Sequence, residues 1–586
     1  MTKSIALIFI AIYGTVSFMP FILSPVELVL QAQILCVMLA LVFILSIMSM
    51  KKLITCQNPV KITRVDILVF LLMLYQGFNI TRVPDTNRDT VTIYMYLITT
   101  IFYIHSRNTL AGKNTTIFYL MIVFITLGQI LFGVVYQTNN FNSIKHIHGT
   151  FFNSGLLAGF ISLSIISLVN LLCGNFKKEN SRYLKQILYI IILIIQIYIM
   201  LRLTSRAALI ASVCGVIVIL YSLFPSKSFS IKSKFKMLVF ITIMFVLTGY
   251  YLYQLKPKSA NGRVLVWLSS VEMIKDKPIL GFGTGAFRQN YMNYQAQYLA
   301  TISNEQFKNL ASDTSVAFNE PLKALTEQGI VGTIILVVLL VSVFRTKNMK
   351  FRREIISLKA LLCTMLVFGL FSYPTESILF QVIFFFIIAQ LSSLAENQDI
   401  ADFKVKKHMA IALTLLSMIV YVPVGISVFT YMVSCQKLDK IISCNVIDNQ
   451  IIFRLEELYP RLSATNEYLS YYGQTLNRLK EYGLAIPVLE QQGRCFPSSR
   501  QRIELGIALH GRGCYDEANE KWIEASEMVP ALIKPHYLLA KSYFLHGKKE
   551  LGLRQAKIVL TKKPKVNTPE IYHMKQEIIS AVQEAE

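Results

Sequence analysis

The stretch ILYIIILIIQIYIMLRLTSRAALIAS, residues 187–212, decides the fold class. Its first part, 187–201, holds one amide and no charge. Crossing about 30 Å of hydrocarbon at about 1.5 Å per residue takes roughly 17 to 25 mostly apolar residues, so this run and its flanks fit a membrane helix. Arg202 ends the run, Arg206 closes a short turn, and a second apolar run begins at 207. Similar runs lie at 4–23, 28–49, 65–80, 91–104, 116–135, 151–172, 187–201, 207–224, 237–253, 329–344, 357–373, 377–394 and 409–433. With 54% hydrophobic and 16% charged residues, the chain is far from an ordinary globular mixture. The expected fold class is all-α: a polytopic helical membrane protein of about thirteen spans. The first run has no cleavable small-residue site before the next span, so it is expected to be retained.

Lys and Arg fall in alternate short loops, which marks the cytoplasmic side. They are Lys51, Lys52, Lys61 and Arg64 in 50–64; Lys177, Lys178, Arg182 and Lys185 in 173–186; Lys227, Lys232, Lys234 and Lys236 in 225–236; and Arg345, Lys347, Lys350, Arg352 and Arg353 in 345–356. Loops near 24–27, 81–90, 136–150, 202–206 and 254–328, and everything after 433, are then expected outside. This topology accounts for part of the formal charge of +24. No basic run interleaves with aromatics on a soluble face, so nucleic acid is not an expected partner. Cys36, Cys173, Cys214 and Cys363 read as core residues. Cys435, Cys444, Cys495 and Cys514 would face an oxidising compartment, where one or two disulfides or none are open readings. There is no CxxC and no His-rich ligand spacing, so no metal is expected.

After 433 the apolar runs shorten and a repeat appears. Gly473, Gly506 and Ala540 are followed twelve residues on by Ala485, Ala518 and Gly552, then by Pro497, Pro530 and Pro564, spaced 33 and 34 apart. Small residues let paired helices approach, and each Pro marks a unit boundary. This resembles the tetratricopeptide repeat, with Tyr482, Tyr515 and Trp522 at packing positions. The expected division is a membrane domain, 1–433, and a helical-repeat domain, 434–586. The repeats either bind a peptide or merely cap the membrane domain.

The loop 254–328 is too long for a passive connection. Val264, Trp267, Leu268, Val271 and Ile274 recur at spacings of three and four, which predicts a helix lying along the membrane surface and ended by Pro278. Gly281, Gly283 and Gly285 read as a flexible turn. A nucleotide fingerprint is excluded because no strand precedes them.

Arg202, Arg206 and Arg263 are the outward-facing cations beside the membrane. Each alone reads equally as an interfacial arginine; together they suggest an anion site, because the guanidinium fork matches phosphate oxygens. The motifs GTFFNSGLLAGFI (149–161), LTSRAALIA (203–211), NGRVLVW (261–267), MIKDKPILGFGTGAF (273–287), YMNYQAQY (291–298) and FNEPLKALTEQGIVG (318–332) resemble, in this order, the O-antigen ligase and polymerase superfamily. That superfamily also contains the bacterial O-oligosaccharyltransferases. The resemblance spans roughly 1–400, and YMNYQAQY with the repeats looks most like members from Bacteroides-type bacteria.

It implies a GT-C-like transferase in the bacterial cytoplasmic (inner) membrane, its large loop and carboxy-terminal domain periplasmic. Such an enzyme moves a glycan from an undecaprenyl-pyrophosphate carrier to an acceptor hydroxyl, with no cofactor and no metal. Carried over by motif, Arg206 and Arg263 match the residues that hold the pyrophosphate, with Arg202 beside them. Many ligases have His-Asn before GIVG, whereas this chain has Phe318-Asn319-Glu320, and 254–328 contains no histidine. Glu320 is therefore the expected general base, or else only a helix-capping residue; Asn319 would orient it and Asp313 is the reserve carboxylate. His148, with His146 beside it, and Asn153, Tyr291 and Tyr294 are further candidates for donor or acceptor contacts. Tyr298 completes the aromatic series.

The acceptor is expected to be Ser or Thr of exported proteins, because an outward repeat domain suits polypeptides. The alternative is an O-antigen ligase or polymerase using a lipid-core or carrier-linked acceptor. A transporter is the remaining reading, but it predicts internal pseudo-symmetry that the sequence lacks.

Overall fold

The computed structural model describes residues 27–55, 60–109, 115–137, 147–151, 153–173, 182–223, 257–396, 399–403, 407–444, 449–565 and 567–585. The expected spans 4–23 and 237–253, the basic loop 225–236 and His146 lie outside them. Within them the fold is all-α, as expected. The helices are α1 (Glu27–Thr55), α2 (Arg64–Thr81), α3 (Thr90–Thr109), α4 (Thr115–Tyr136), α5 (Ser154–Leu172), α6 (Arg182–Arg202) and α7 (Arg206–Leu223). Then come α8 (Pro257–Asp276), α9 (Phe287–Thr301), α10 (Glu305–Leu310), α11 (Glu320–Arg345), α12 (Arg352–Gly369), α13 (Ile378–Leu394) and α14 (Lys407–Cys444). Eight shorter helices, α15 (Asn449–Leu462), α16 (Asn466–Arg478), α17 (Tyr482–Cys495), α18 (Ser499–Gly511), α19 (Tyr515–Met528), α20 (Lys534–Leu545), α21 (Lys549–Thr561) and α22 (Pro569–Ala585), complete the chain. Seven helices among the described residues are long and apolar enough to cross a membrane. The protein is a multi-pass membrane protein.

Two of the four basic loops, at 60–64 and 345–356, meet on one face of the described residues. Strand β1 (Val60–Thr63) pairs antiparallel with β2 (Asp399–Phe403) on one face. There Thr63 and Asp66 form a capping box at the start of α2, and Arg107 and Tyr103 donate to the same carboxylate. The 81–90 loop, the 257–319 segment and the α12–α13 connection meet on the opposite face, together with the helices after 444. Which side each face meets is set by the charges and not by the packing.

Lipid tails give helices no hydrophobic reason to associate, so close approach at small residues carries the packing. A Cβ on Gly159 of α5 would stand 2.3 Å from the Phe368 ring of α12, and one on Gly215 of α7 would stand 2.1 Å from Thr364 Oγ1. The three helices therefore lock together at glycine. Phe151, Phe160, Phe368 and Phe380 fill the space beside them.

The carboxy-terminal helices stack in antiparallel pairs, and small residues stand at the contacts the spacing marks. A Cβ on Gly473 would meet Leu489 at 2.4 Å, one on Gly506 Trp522 at 2.3 Å, and one on Gly552 Phe544 at 2.6 Å. The boundary expected at 433/434 falls inside α14, which runs on to Cys444. All eight described cysteines are free thiols.

Candidate active site

The site is built on a broken helix. Gly329 of α11 has φ 64° and ψ −168°, which only glycine adopts without strain, and the break frees backbone groups on both sides. Residues 278–283 satisfy them. Ile330 and Val331 N–H donate to the carbonyls of Pro278 and Ile279, while Phe282 and Gly283 N–H donate to the carbonyls of Thr326 and Glu327. Arg82 holds the same segment through the carbonyls of Leu280 and Gly281. A Cβ on Gly281 would come within 2.5 Å of the Glu327 carbonyl, and one on Gly329 within 2.2 Å of Ile279 O. The glycine series expected as a flexible turn is thus a stitched junction, and its glycines serve close backbone approach.

Helix α8 runs from Pro257 to Asp276 and stops before Pro278, as the spacing predicts. Val264, Leu268 and Val271 are exposed while Leu265, Val266, Ser269, Ser270 and Met273 face the protein. Three residues of the predicted apolar stripe are therefore exposed, whereas Trp267 packs against Phe371.

Arg263 sits on this helix. Its Nη1 donates to the carbonyl of Phe371 at 2.8 Å, and its guanidinium lies 5.3 Å from the Phe318 ring centre. Burial and then the neighbouring charge of Arg206 lower its pKa from the ordinary value, against a smaller opposing effect of Tyr373. Two like charges held together favour an anion between them. Arg202 and Arg206 flank the α6–α7 turn, where Thr204 has φ 54°. Arg202 Nε has no hydrogen-bond partner among the described residues. Phe318 also has a left-handed φ of 52°. Two of the three non-glycine residues with such backbone among the described residues thus border this site, where strain is commonly retained for function.

Residues 370–376, between α12 and α13, form a strap along it. Asn319 caps α11 through Leu322 N–H, and its amide donates to Leu370 O at 3.1 Å. Glu320 is not the cap. Its carboxylate accepts the backbone N–H of Thr375 at 2.9 Å and the Thr375 hydroxyl at 2.8 and 2.7 Å. Lys323 Nζ donates to the same hydroxyl at 3.1 Å and pairs with Glu376. Arg288 donates to Glu376 at 2.7 Å and to Asp89 at 3.0 Å. Burial pushes the Glu376 carboxyl up, but Lys323 and Arg288 outweigh it and hold it down at about 2. Arg288 is itself driven above its ordinary value by Asp89 and Glu376, although burial opposes them.

The other predicted residues lie apart or are occupied. Asp313 accepts the backbone N–H and hydroxyl of Ser499 at 2.8 and 2.7 Å, fastening the 257–319 segment to α18. His148 Nδ1 donates to Phe151 O at 2.6 Å, which leaves Nε2 as the basic nitrogen; burial, ahead of that bond, lowers its pKa. Asn153 is exposed and caps α5 through Gly155 N–H at 2.7 Å, which explains an amide at the start of an apolar run. Tyr291 is fully buried, stacked on Phe287 and bonded to Gln295, so it offers no face to a sugar. Its expected ligand contact is corrected to a packing role. Tyr294 donates to Asp276.

Sequence reasoning missed Asp89, Arg288, Lys323, Thr375, Glu376 and Glu467. These line one cavity of about 860 Å³, together with Glu320. For Asp89, Lys323 and Glu376 the available signal was a charge at the end of an apolar run; Arg288, Thr375 and Glu467 gave none.

Residues 190–337 match a family model described as O-Antigen ligase. Over that stretch, about a quarter of the chain, the protein is similar to the O-antigen ligases. The matched region contains Arg202, Arg206, Arg263 and Glu320, and the superfamily is the one the motifs resemble. No curated protein matches the chain. That similarity in a multi-pass chain makes this a glycan-transferring membrane enzyme, which in general takes a lipid-linked glycan donor and an acceptor.

Proposed function

We propose that the protein moves an oligosaccharide from undecaprenyl pyrophosphate to a hydroxyl of Ser or Thr in exported proteins, at the periplasmic face of a bacterial inner membrane. One observation carries the chemistry. Arg263 bonds to Phe371 at one end of the strap and lies over Phe318, while Glu320, two residues from Phe318, bonds to Thr375 at the other end.

Arg263 and Arg206, with Arg202 beside them, hold the pyrophosphate. Glu320 takes the proton of the acceptor hydroxyl as its oxygen bonds to the anomeric carbon, and the bond from that carbon to the pyrophosphate breaks. Undecaprenyl pyrophosphate leaves with the bonding electrons, and the guanidinium groups stabilise the charge gathering on it. Asn319 fixes the start of α11, and so the position of Glu320. The helix pairs after residue 444 form a tetratricopeptide-like periplasmic unit that serves the polypeptide acceptor.

The matched family's own description favours a second reading, an O-antigen ligase with a lipid-core acceptor. A strain lacking the protein, complemented with wild type or Arg263→Ala, separates the two. Loss of glycan mass from exported proteins with an intact lipopolysaccharide ladder supports the protein acceptor. Collapse of the ladder with unchanged proteins supports the lipid one.

A further inference from the structure

The cavity has a composition that the donor site does not explain. Its walls come from four regions: membrane helices, the 370–376 strap, the 257–319 segment with Thr284, Arg288 and Asp313, and two parts of the carboxy-terminal helices, 464–467 and 496–498. Its volume of about 860 Å³ lies within the usual range for ligand sites. Asp89, Asp313, Glu320, Glu327, Glu376 and Glu467 line it against two cations, Arg288 and Lys323. Both cations are engaged, Arg288 by Asp89 and Glu376, and Lys323 by Glu376. An anion entering here meets uncompensated carboxylates, so neither the pyrophosphate nor a phosphorylated lipid acceptor is favoured.

The strap gives the site two sides. Leu370, Tyr373, Thr375 and Glu376 face the cavity, whereas the Phe371 carbonyl is held by Arg263, which is not part of the cavity wall.

We propose that this cavity is the acceptor port: an extended polypeptide enters beneath residues 464–467, at the start of α16, and the 496–498 loop and lays its Ser or Thr hydroxyl against Glu320, whose strap is bonded at its other end to Arg263. This rests on the transferase reading above and names the site of its acceptor. A neutral, amide-rich chain suits walls whose carboxylates outnumber their cations and so repel phosphate. The apolar floor, with Leu336, Leu366 and Phe384, takes the side chains flanking the hydroxyl. The carboxy-terminal helices then act by roofing the port.

The test places the photo-crosslinker benzoylphenylalanine at Phe496 of the full chain in its native membrane. After irradiation, the adduct is digested and its peptides sequenced. The expected adduct contains the same peptides that carry glycan in the wild-type strain. An adduct of lipid core or polyprenol, or the absence of any acceptor peptide, overturns the proposal. As a second measurement, Asn466→Trp narrows the roof and is expected to raise the KM for a purified exported acceptor about tenfold, leaving the donor KM unchanged; equal acceptor KM values also overturn it. If deletion strips glycans from exported proteins yet Phe496 captures none of them, the port is wrong and the transferase reading stands. If deletion leaves protein glycans intact, the transferase reading itself has failed.

Discussion

Thr375 donates both its backbone N–H and its hydroxyl to Glu320, across 55 residues of sequence. The carboxylate proposed to take the acceptor proton is therefore aimed by the α12–α13 strap. A positioned general base contributes about 10²- to 10⁴-fold, so Glu320→Gln should lower kcat in that range with little change in donor KM. Thr375→Val keeps the backbone bond and loses the hydroxyl, and should lower kcat about tenfold. Thr375→Ser should restore it. Glycan transfer timed in membrane vesicles reads all three, and full turnover by Glu320→Gln removes the residue from the mechanism.

At Arg263, the geometry of the guanidinium should matter more than its charge. Lys cannot reproduce a planar fork that bonds Phe371 while presenting a second edge to phosphate. Arg263→Lys is expected to raise donor KM and reduce kcat/KM by roughly ten- to a hundredfold, with Arg263→Ala lower still. A Lys variant with wild-type kcat/KM would show that charge alone suffices.

Acid should unfold this face in a defined window. Glu376 is held at about 2, below its ordinary value, so its contribution is complete above the unfolded carboxyl range near pH 4.5 and is lost as the pH falls from there towards 2. Thermal unfolding in nanodiscs should be insensitive to this group from pH 7 to 5 and then weaken. Glu376→Gln should blunt that fall. At pH 7 the same change leaves Lys323, 17% exposed, without its ion-pair partner and Arg288 with Asp89 alone, and should cost towards the lower end of about 3–5 kcal/mol.

The stitched helix break makes a contrast between glycines. Gly329→Ala drives a Cβ into Ile279 O and forces a left-handed φ on alanine, and should unfasten 278–283. Cleavage by an added protease within that segment is the readout. Gly262 has nothing within 4 Å of its added Cβ, so Gly262→Ala should be tolerated and should gain up to about 1 kcal/mol of helix stability.

Asp313 offers a test of how the carboxy-terminal helices are held. Asp313→Ala breaks two bonds to Ser499 and should lower the unfolding temperature of the full chain, since each buried polar group left unpaired costs about 1–3 kcal/mol. If Asp313 instead acts as a base, turnover falls while stability is unchanged.

Much of the architecture was legible in the residues themselves. Run length and the loop positions of Lys and Arg reflect the chain's exchange with lipid and water, a local property that each segment carries alone. The α8 helix, its end before Pro278 and the small residues at 473, 506 and 552 were readable for the same reason. The charged network was not. Arg288 meets Asp89 from 199 residues away and Glu376 from 88, and no spacing rule connects partners brought together only when helices pack. Tyr291 carried the same pattern as a sugar-binding aromatic, and only packing against Phe287 buried it. The glycine series likewise read as looseness until the break at Gly329 supplied the unpaired N–H and carbonyl groups that it exists to satisfy. Sequence alone marked the apolar runs, seven of which are helices long and apolar enough to cross a membrane among the described residues, because solvation acts on each segment separately. Tertiary structure decided which carboxylate is aimed, which is paired and which merely fastens the fold, because those roles depend on neighbours that sequence distance does not predict.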